Sequence, residues 1–170
     1  MEMAKAIPVM RNADDGERLA WAGGGVITVK ATAAETAGAF LLFDFDGERG
    51  KTTPLHIHPG EDEGMYVLEG EIRVHVAGEE ASLGTGGTFI CLRGVPHAFM
   101  VTSESARLLS WQTPGTGETF YREASDPAPA GVSASHPPDW ARLRDVASRS
   151  PSIEIVGPSP FENLDANGAG

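Results

Sequence analysis

Residues 50–70 read GKTTPLHIHPGEDEGMYVLEG, and inside them stand His56, His58 and Glu63, three good transition-metal ligands at close spacing. On a β-strand His56 and His58, two apart, point to the same face. Glu63 follows Pro59-Gly60-Glu61-Asp62, a turn-forming run that can reverse the chain. Met65-Tyr66-Val67-Leu68 is then β-prone and ends at Gly70. Strand, turn and returning strand would bring the three ligands to one point. A fourth candidate, His97, follows Arg93-Gly94-Val95-Pro96. Imidazole with carboxylate suits a single divalent transition ion, whether Fe, Mn, Ni, Co, Cu or Zn. The first expectation is a metal held inside a β-barrel.

The flanks read the same way. Val26–Ala31 is β-branched, and Phe40–Phe45 is apolar on both faces, as a buried strand would be. Arg18–Trp21, Thr52–His58, Thr88–Leu92, His97–Thr102 and Arg107–Gln112 are further candidate strands. Met65–Val76 divides into two at Glu69-Gly70. In the second of these, Ile72, Val74 and Val76 alternate with Glu71, Arg73 and His75, giving one dry and one wet face. Ala77–Glu80 and Gly84–Gly87 read as turns. Short strands punctuated by turns, without a βαβ rhythm or an internal repeat, predict an all-β sandwich or barrel.

After Pro114 the character changes. Glu118–Glu123 predicts a short helix with Phe120 and Tyr121 packed on the barrel. Residues 126–138 (DPAPAGVSASHPP) resemble a linker. Asp139 can cap a helix running to Arg149, with Trp140, Leu143 and Val146 on one face, and Pro151 stops it. Ile153–Val156 can add a strand, and residues 163–170 are expected to fray. The division expected is therefore 1–125 for the barrel and its N-terminal arm, and 126–170 for linker, helix and tail. That tail either covers the barrel mouth or exchanges with a neighbour.

Gly50, five residues, His56-x-His58, four residues, Glu63, six residues and Gly70 match the first motif of the cupin family at every position. The second cupin motif is met by Gly86, Gly94 and His97, while Leu92 and Val101 replace its Pro and Asn. The chain thus resembles a single cupin, a double-stranded β-helix or jelly-roll barrel with a C-terminal helical extension. His56-x-His58, Glu61-Asp62-Glu63, Tyr66–Gly70 and His97 after Gly94-Val95-Pro96 also resemble the small cupins of the quercetin 2,3-dioxygenase-like group. That resemblance implies metal-dependent, ring-cleaving oxygenation of a flavonol-type or phenolic enol by O₂. His56, His58 and His97 would hold the metal, and Glu63 would be both ligand and catalytic base. The alternatives are a non-oxidative metallo-cupin, of isomerase or cyclase type, and a small-molecule-binding cupin without catalysis.

Other residues are read more plainly. His75 falls on a wet strand face and His136 in the linker, so neither is expected to bind metal. Glu61 and Asp62, beside Glu63, read as a solvated loop. Cys91 reads as a small buried apolar residue. Phe43, Phe45, Met65, Val67, Phe99 and Trp111 are candidates to line the barrel, as core or as substrate pocket. These apolar residues suggest a small apolar or aromatic substrate, and the isolation of Lys51 and Arg93 disfavours a phosphorylated sugar.

Composition narrows the classes further. The chain has 170 residues, enough for one core with extensions. A formal charge of −11 with no basic run argues against nucleic acid or an anionic membrane as partner. No apolar run reaches the roughly 18 residues of a membrane span. Met1–Glu17 lacks an apolar core of signal-peptide length. The single cysteine allows no internal disulfide, so a cytoplasmic location is expected. Open barrels with edge strands often pair, and a homodimer is expected.

Overall fold

A computed structural model of the protein describes residues 8–161. The strands are β1 (Glu17–Trp21), β2 (Val26–Ala31), β3 (Leu41–Glu48), β4 (Leu55–Ile57), β5 (Asp62–Glu69), β6 (Glu71–Val76), β7 (Glu79–Gly84), β8 (Thr88–Cys91), β9 (His97–Val101), β10 (Ser105–Thr113), β11 (Ser125–Pro127) and β12 (Glu154–Gly157). The helices are α1 (Glu118–Glu123) and α2 (Trp140–Arg149). The fold is all-β, as the turn-punctuated pattern predicts.

Two antiparallel sheets face each other. One runs β11-β1-β2-β3-β10-β5-β8 and the other β12-β4-β9-β6-β7. Period-two alternation decides what each sheet turns inward. On β10, Ala106, Leu108, Ser110 and Gln112 are buried while the residues between them are less so. Leu108 lies opposite Phe45 on one side and Val67 on the other. On β6, Ile72 and Val74 face Val101 and Phe99 of β9. Arg73 turns outward and pairs with Glu80. These inward sets merge into one core.

Gly70 shows why a glycine closes the first motif. The chain reverses there between β5 and β6 with φ of +80°, and a Cβ would lie 2.2 Å from the Ser105 carbonyl oxygen. Both the left-handed backbone and the close approach exclude a side chain.

Several expectations shift. The strand read at Thr52–His58 shrinks to β4, with Thr52 making only an isolated bridge to Met100. Pro54 cannot donate to a ladder, and Pro59 follows His58 directly, so only the residues between can pair. Phe40 stands outside β3 and is 40% exposed. The linker is not wholly unpaired, because β11 spans the expected boundary at 125/126 and pairs with β1.

The tail packs on its own barrel. Asp139 Oδ1 accepts from the Arg142 amide at 3.0 Å and caps α2. Leu143, Val146 and Ala147 join the core, and β12 pairs with β4. Burial of that helix face is worth roughly 1.5–3 kcal/mol per large aliphatic side chain. Residues 163–170, expected to fray, lie outside the described residues, as do residues 1–7 of the N-terminal arm. Among the described residues no helix is long and apolar enough to cross a membrane.

Candidate metal centre

His56 on β4, His58 just beyond it, Glu63 on β5 and His97 at the start of β9 converge, and all four are buried. One donor atom from each lies within 4.8 Å of the others. The two sheets supply them jointly. His56 sits opposite His97 across the β4–β9 pair, while Glu63 reaches over from the other sheet. The His56 and His97 ring centroids are 4.2 Å apart, and His58 is 5.1 and 5.4 Å from them.

Backbone carbonyls set the ring orientations. His56 Nδ1 donates to Pro54 O at 2.8 Å, His58 Nδ1 to Ser152 O at 2.8 Å, and His97 Nδ1 to Val95 O at 2.9 Å. A carbonyl only accepts, so each Nδ1 carries the hydrogen and each Nε2 is turned toward the common centre. Metal-binding imidazoles are oriented in this way. The donor set of three imidazoles and one carboxylate therefore fits a divalent transition ion.

Glu63 Oε2 and His97 Nε2 lie 2.8 Å apart, and His58 Nε2 stands 3.6 Å from the same oxygen. Burial alone would raise the Glu63 carboxyl, but the charges and hydrogen bonds of His58 and His97 outweigh it and hold it well below its ordinary value. Burial pushes the His97 imidazole down, yet hydrogen bonds with Cys91 and Glu63 and the Glu63 charge raise it to about 10. Burial, and then His97 and His58, drive His56 down to about 3, and the Glu63 charge opposes them only in part.

An apolar cavity opens on His56 and Glu63, walled by Trp21, Phe43, Phe45, Met65, Phe99 and Phe120. Four of the six residues read as possible lining are thus in the wall. Val67 is instead fully buried in the core, below Leu108. Trp111 lies on the opposite face of β10, against Gly64, where a Cβ would meet its ring at 2.0 Å. Neither Val67 nor Trp111 lines the cavity.

Three groups escape a reading of the motifs. Gln112 Nε2 donates to Glu63 Oε1 at 3.2 Å and lies 3.4 Å from His58 Nε2, and the Tyr121 hydroxyl stands 3.4 Å from Glu63 Oε1. Glu61, expected in a solvated loop, is 2% exposed and accepts from Thr116 Oγ1 at 2.5 Å. Strand parity carries the signal that finds two of them. Glu61 and Glu63 share a face while Asp62 turns out to Arg93, and Gln112 shares the inner face with Ser110. Tyr121 arrives on α1, which sequence reading already packs on the barrel.

His75, His136 and Cys91 hold simpler places. His75 is at the surface beside Glu80. Nε2 of His136 contacts Trp21 O at 2.9 Å, and the His136 carbonyl accepts from Lys51 Nζ at 2.5 Å. Cys91 is buried, with Sγ 3.4 Å from Val95 O.

A family model described as Cupin domain matches residues 45–112. Over 132 residues the chain is 30% identical to the quercetin 2,3-dioxygenase of Bacillus subtilis (strain 168), a match that takes in 78% of this chain. The chain spans 38% of the length of that curated relative. An RmlC-like cupin from Shewanella frigidimarina NCIMB 400 has a similar structure, with TM-score 0.55 and 20% identity over 62% of this chain and 89% of that one. So has a protein of Thermotoga maritima described as a predicted oxalate decarboxylase, with TM-score 0.55 and 24% identity over 63% of this chain and 99% of that one. These two likenesses concern the fold.

Proposed function

This chain carries a cupin domain with a preformed cluster of three histidines and one carboxylate, and we propose that it is a metal-dependent dioxygenase that cleaves a flavonol-type or phenolic enol with O₂. The observation that carries this reading is the aromatic, apolar cavity that ends on Glu63 and His56. The 30% identity to a quercetin 2,3-dioxygenase supports it.

Nε2 of His56, His58 and His97 and an oxygen of Glu63 would hold the ion. When bound, it would supply a Lewis-acidic position with room for a substrate oxygen and for O₂. Every other role belongs to the chain. Phe43, Phe45, Met65 and Phe99 take a flat ring by apolar contact and keep water from it. Glu63 accepts the enol proton at a carboxylate oxygen, and its low proton affinity keeps it ionised before substrate arrives. Gln112 and Tyr121 steady the carboxylate while the proton moves. In this reading the protein works as a homodimer. Tyr66 on β5, Ile90 on β8 and Leu92 just beyond it stand exposed, an apolar surface a second copy would cover.

Elemental analysis beside O₂ uptake with quercetin tests the reading, using the native protein and Glu63→Ala. Near-stoichiometric metal and an uptake that vanishes with Glu63 are expected. A fully metal-loaded protein that consumes no O₂ with any flavonol or phenolic enol overturns the oxygenase reading and turns the search to non-oxidative substrates.

A further inference from the structure

Glu63 is held on two sides. The groups of the second side, Gln112 and Tyr121, lie outside the motif, although Gln112 Nε2 also comes within 3.4 Å of His58 Nε2. Glu63 Oε2 faces His97 and His58, while Oε1 meets Gln112 Nε2 at 3.2 Å and the Tyr121 hydroxyl at 3.4 Å. Gln112 Nε2 also donates to the Tyr121 oxygen at 3.0 Å, so amide, phenol and carboxylate close a ring of hydrogen bonds. Both supports are rigid. Gln112 is fully buried, and Gly117 leaves its amide room, because a Cβ there would lie 2.1 Å from Gln112 Oε1. The Tyr121 ring is packed between Trp21 and Phe43, with centroids 5.2 and 4.9 Å away.

We propose that Gln112 and Tyr121 are positioning residues that make Glu63 a one-oxygen metal ligand by keeping Oε1 off the ion. This rests on the metal centre proposed above, though not on its oxygen chemistry. A carboxylate free at both oxygens can close onto an ion with both. Here that swing would break two hydrogen bonds to an ionised acceptor, which are stronger than those between neutral groups. The division also leaves Tyr121 in the cavity wall, beside the oxygen that would receive a substrate proton.

Cobalt(II) provides the test, because its visible bands report coordination number without any substrate. Tyr121→Phe keeps the ring and removes only the hydroxyl, and Gln112→Leu removes the amide. Both variants are expected to bind cobalt(II) with affinity altered by roughly 10–100-fold, the usual effect of losing an outer partner of a ligand. Their bands should weaken and shift as Glu63 adds its second oxygen. Phe43→Leu, which loosens the same aromatic packing and leaves the hydroxyl in place, should keep the native bands. Native affinity and bands in both Tyr121→Phe and Gln112→Leu would overturn the proposal. So would a Phe43→Leu spectrum that reproduces theirs, since packing would then be the cause. These outcomes stand apart from the oxygenase reading, which O₂ uptake decides separately.

Discussion

Two stretches of this chain build one centre in different ways. Residues 55–70 with His97 supply every candidate ligand. Residues 112–161 supply no candidate ligand, yet provide Gln112, Tyr121, the Ser152 carbonyl that orients His58, and Leu143 in the cavity wall. The first stretch sets which atoms meet. The second sets how they are held, and it does so from positions up to 94 residues away in the chain.

The sharpest way to break this contrast is to remove a ligand. His58→Ala should lose most of its metal on purification, a deficit that elemental analysis reads directly. Unchanged metal content would sink the site assignment. Next comes the tail. Leu143 is buried in the core and lines the cavity, so Leu143→Ala should lower stability by about 2–5 kcal/mol in one denaturant transition. A loss under about 0.5 kcal/mol, or a separate transition for the tail, would make residues 140–161 an appendage and not part of the barrel.

Within the motif stretch, Gly64→Ala should cost about 1–3 kcal/mol, because its Cβ would enter the Trp111 ring. A neutral result would mean that the ring moves freely off β5. Proton release comes next in size. His97 in the metal-free chain stays protonated up to about pH 10, so an ion must displace that proton. Metal affinity should therefore rise about tenfold per pH unit, near 1.4 kcal/mol, between neutrality and pH 10. Calorimetry in buffers of different ionisation heat would count the proton, and a count of zero would contradict the Glu63–His97 pair.

The same shifts fix the sign for the metal-free fold. The raised His97 value gives stability that is complete below its unfolded value near 6.5 and is lost as pH rises through about 10. The depressed His56 value acts the other way, and its neutral burial costs stability as pH falls from 6.5 toward 3. The smallest effect is at the surface. Arg93→Ala removes an exposed pair with Asp62 and should change stability by less than about 1 kcal/mol, and a larger loss would mean that Asp62 positions Glu63.

The candidate ligands are legible because strand periodicity and a local turn act over few residues, and His56, His58 and Glu63 need little else to converge. Three adjacent acids look solvated, whereas alternation along the chain puts Asp62 outward and Glu61 and Glu63 inward. Thr116 then answers the buried Glu61 carboxylate from far away. The sequence puts Tyr121 on the barrel without naming its partners, Glu63 and Gln112, since nothing local says which barrel residue a helix will meet. Val67 and Trp111 show the same boundary. An apolar residue on a strand is called inward easily, but whether it lines a cavity, fills the core or covers a glycine depends on packing across the sheet.

The pairing of His97 on one sheet with Glu63 on the other also bears on how the molecule comes apart. The two layers cannot separate there without parting an imidazolium from a carboxylate in a space closed to water, which is strongly unfavourable. Strand β7, whose side chains are mostly exposed at a sheet edge, carries no such constraint. Amide exchange should accordingly run from the β7 edge inward, with the amides of β5 and β9 surrendering their hydrogens last. In that sense the centre is also a clasp between the two layers.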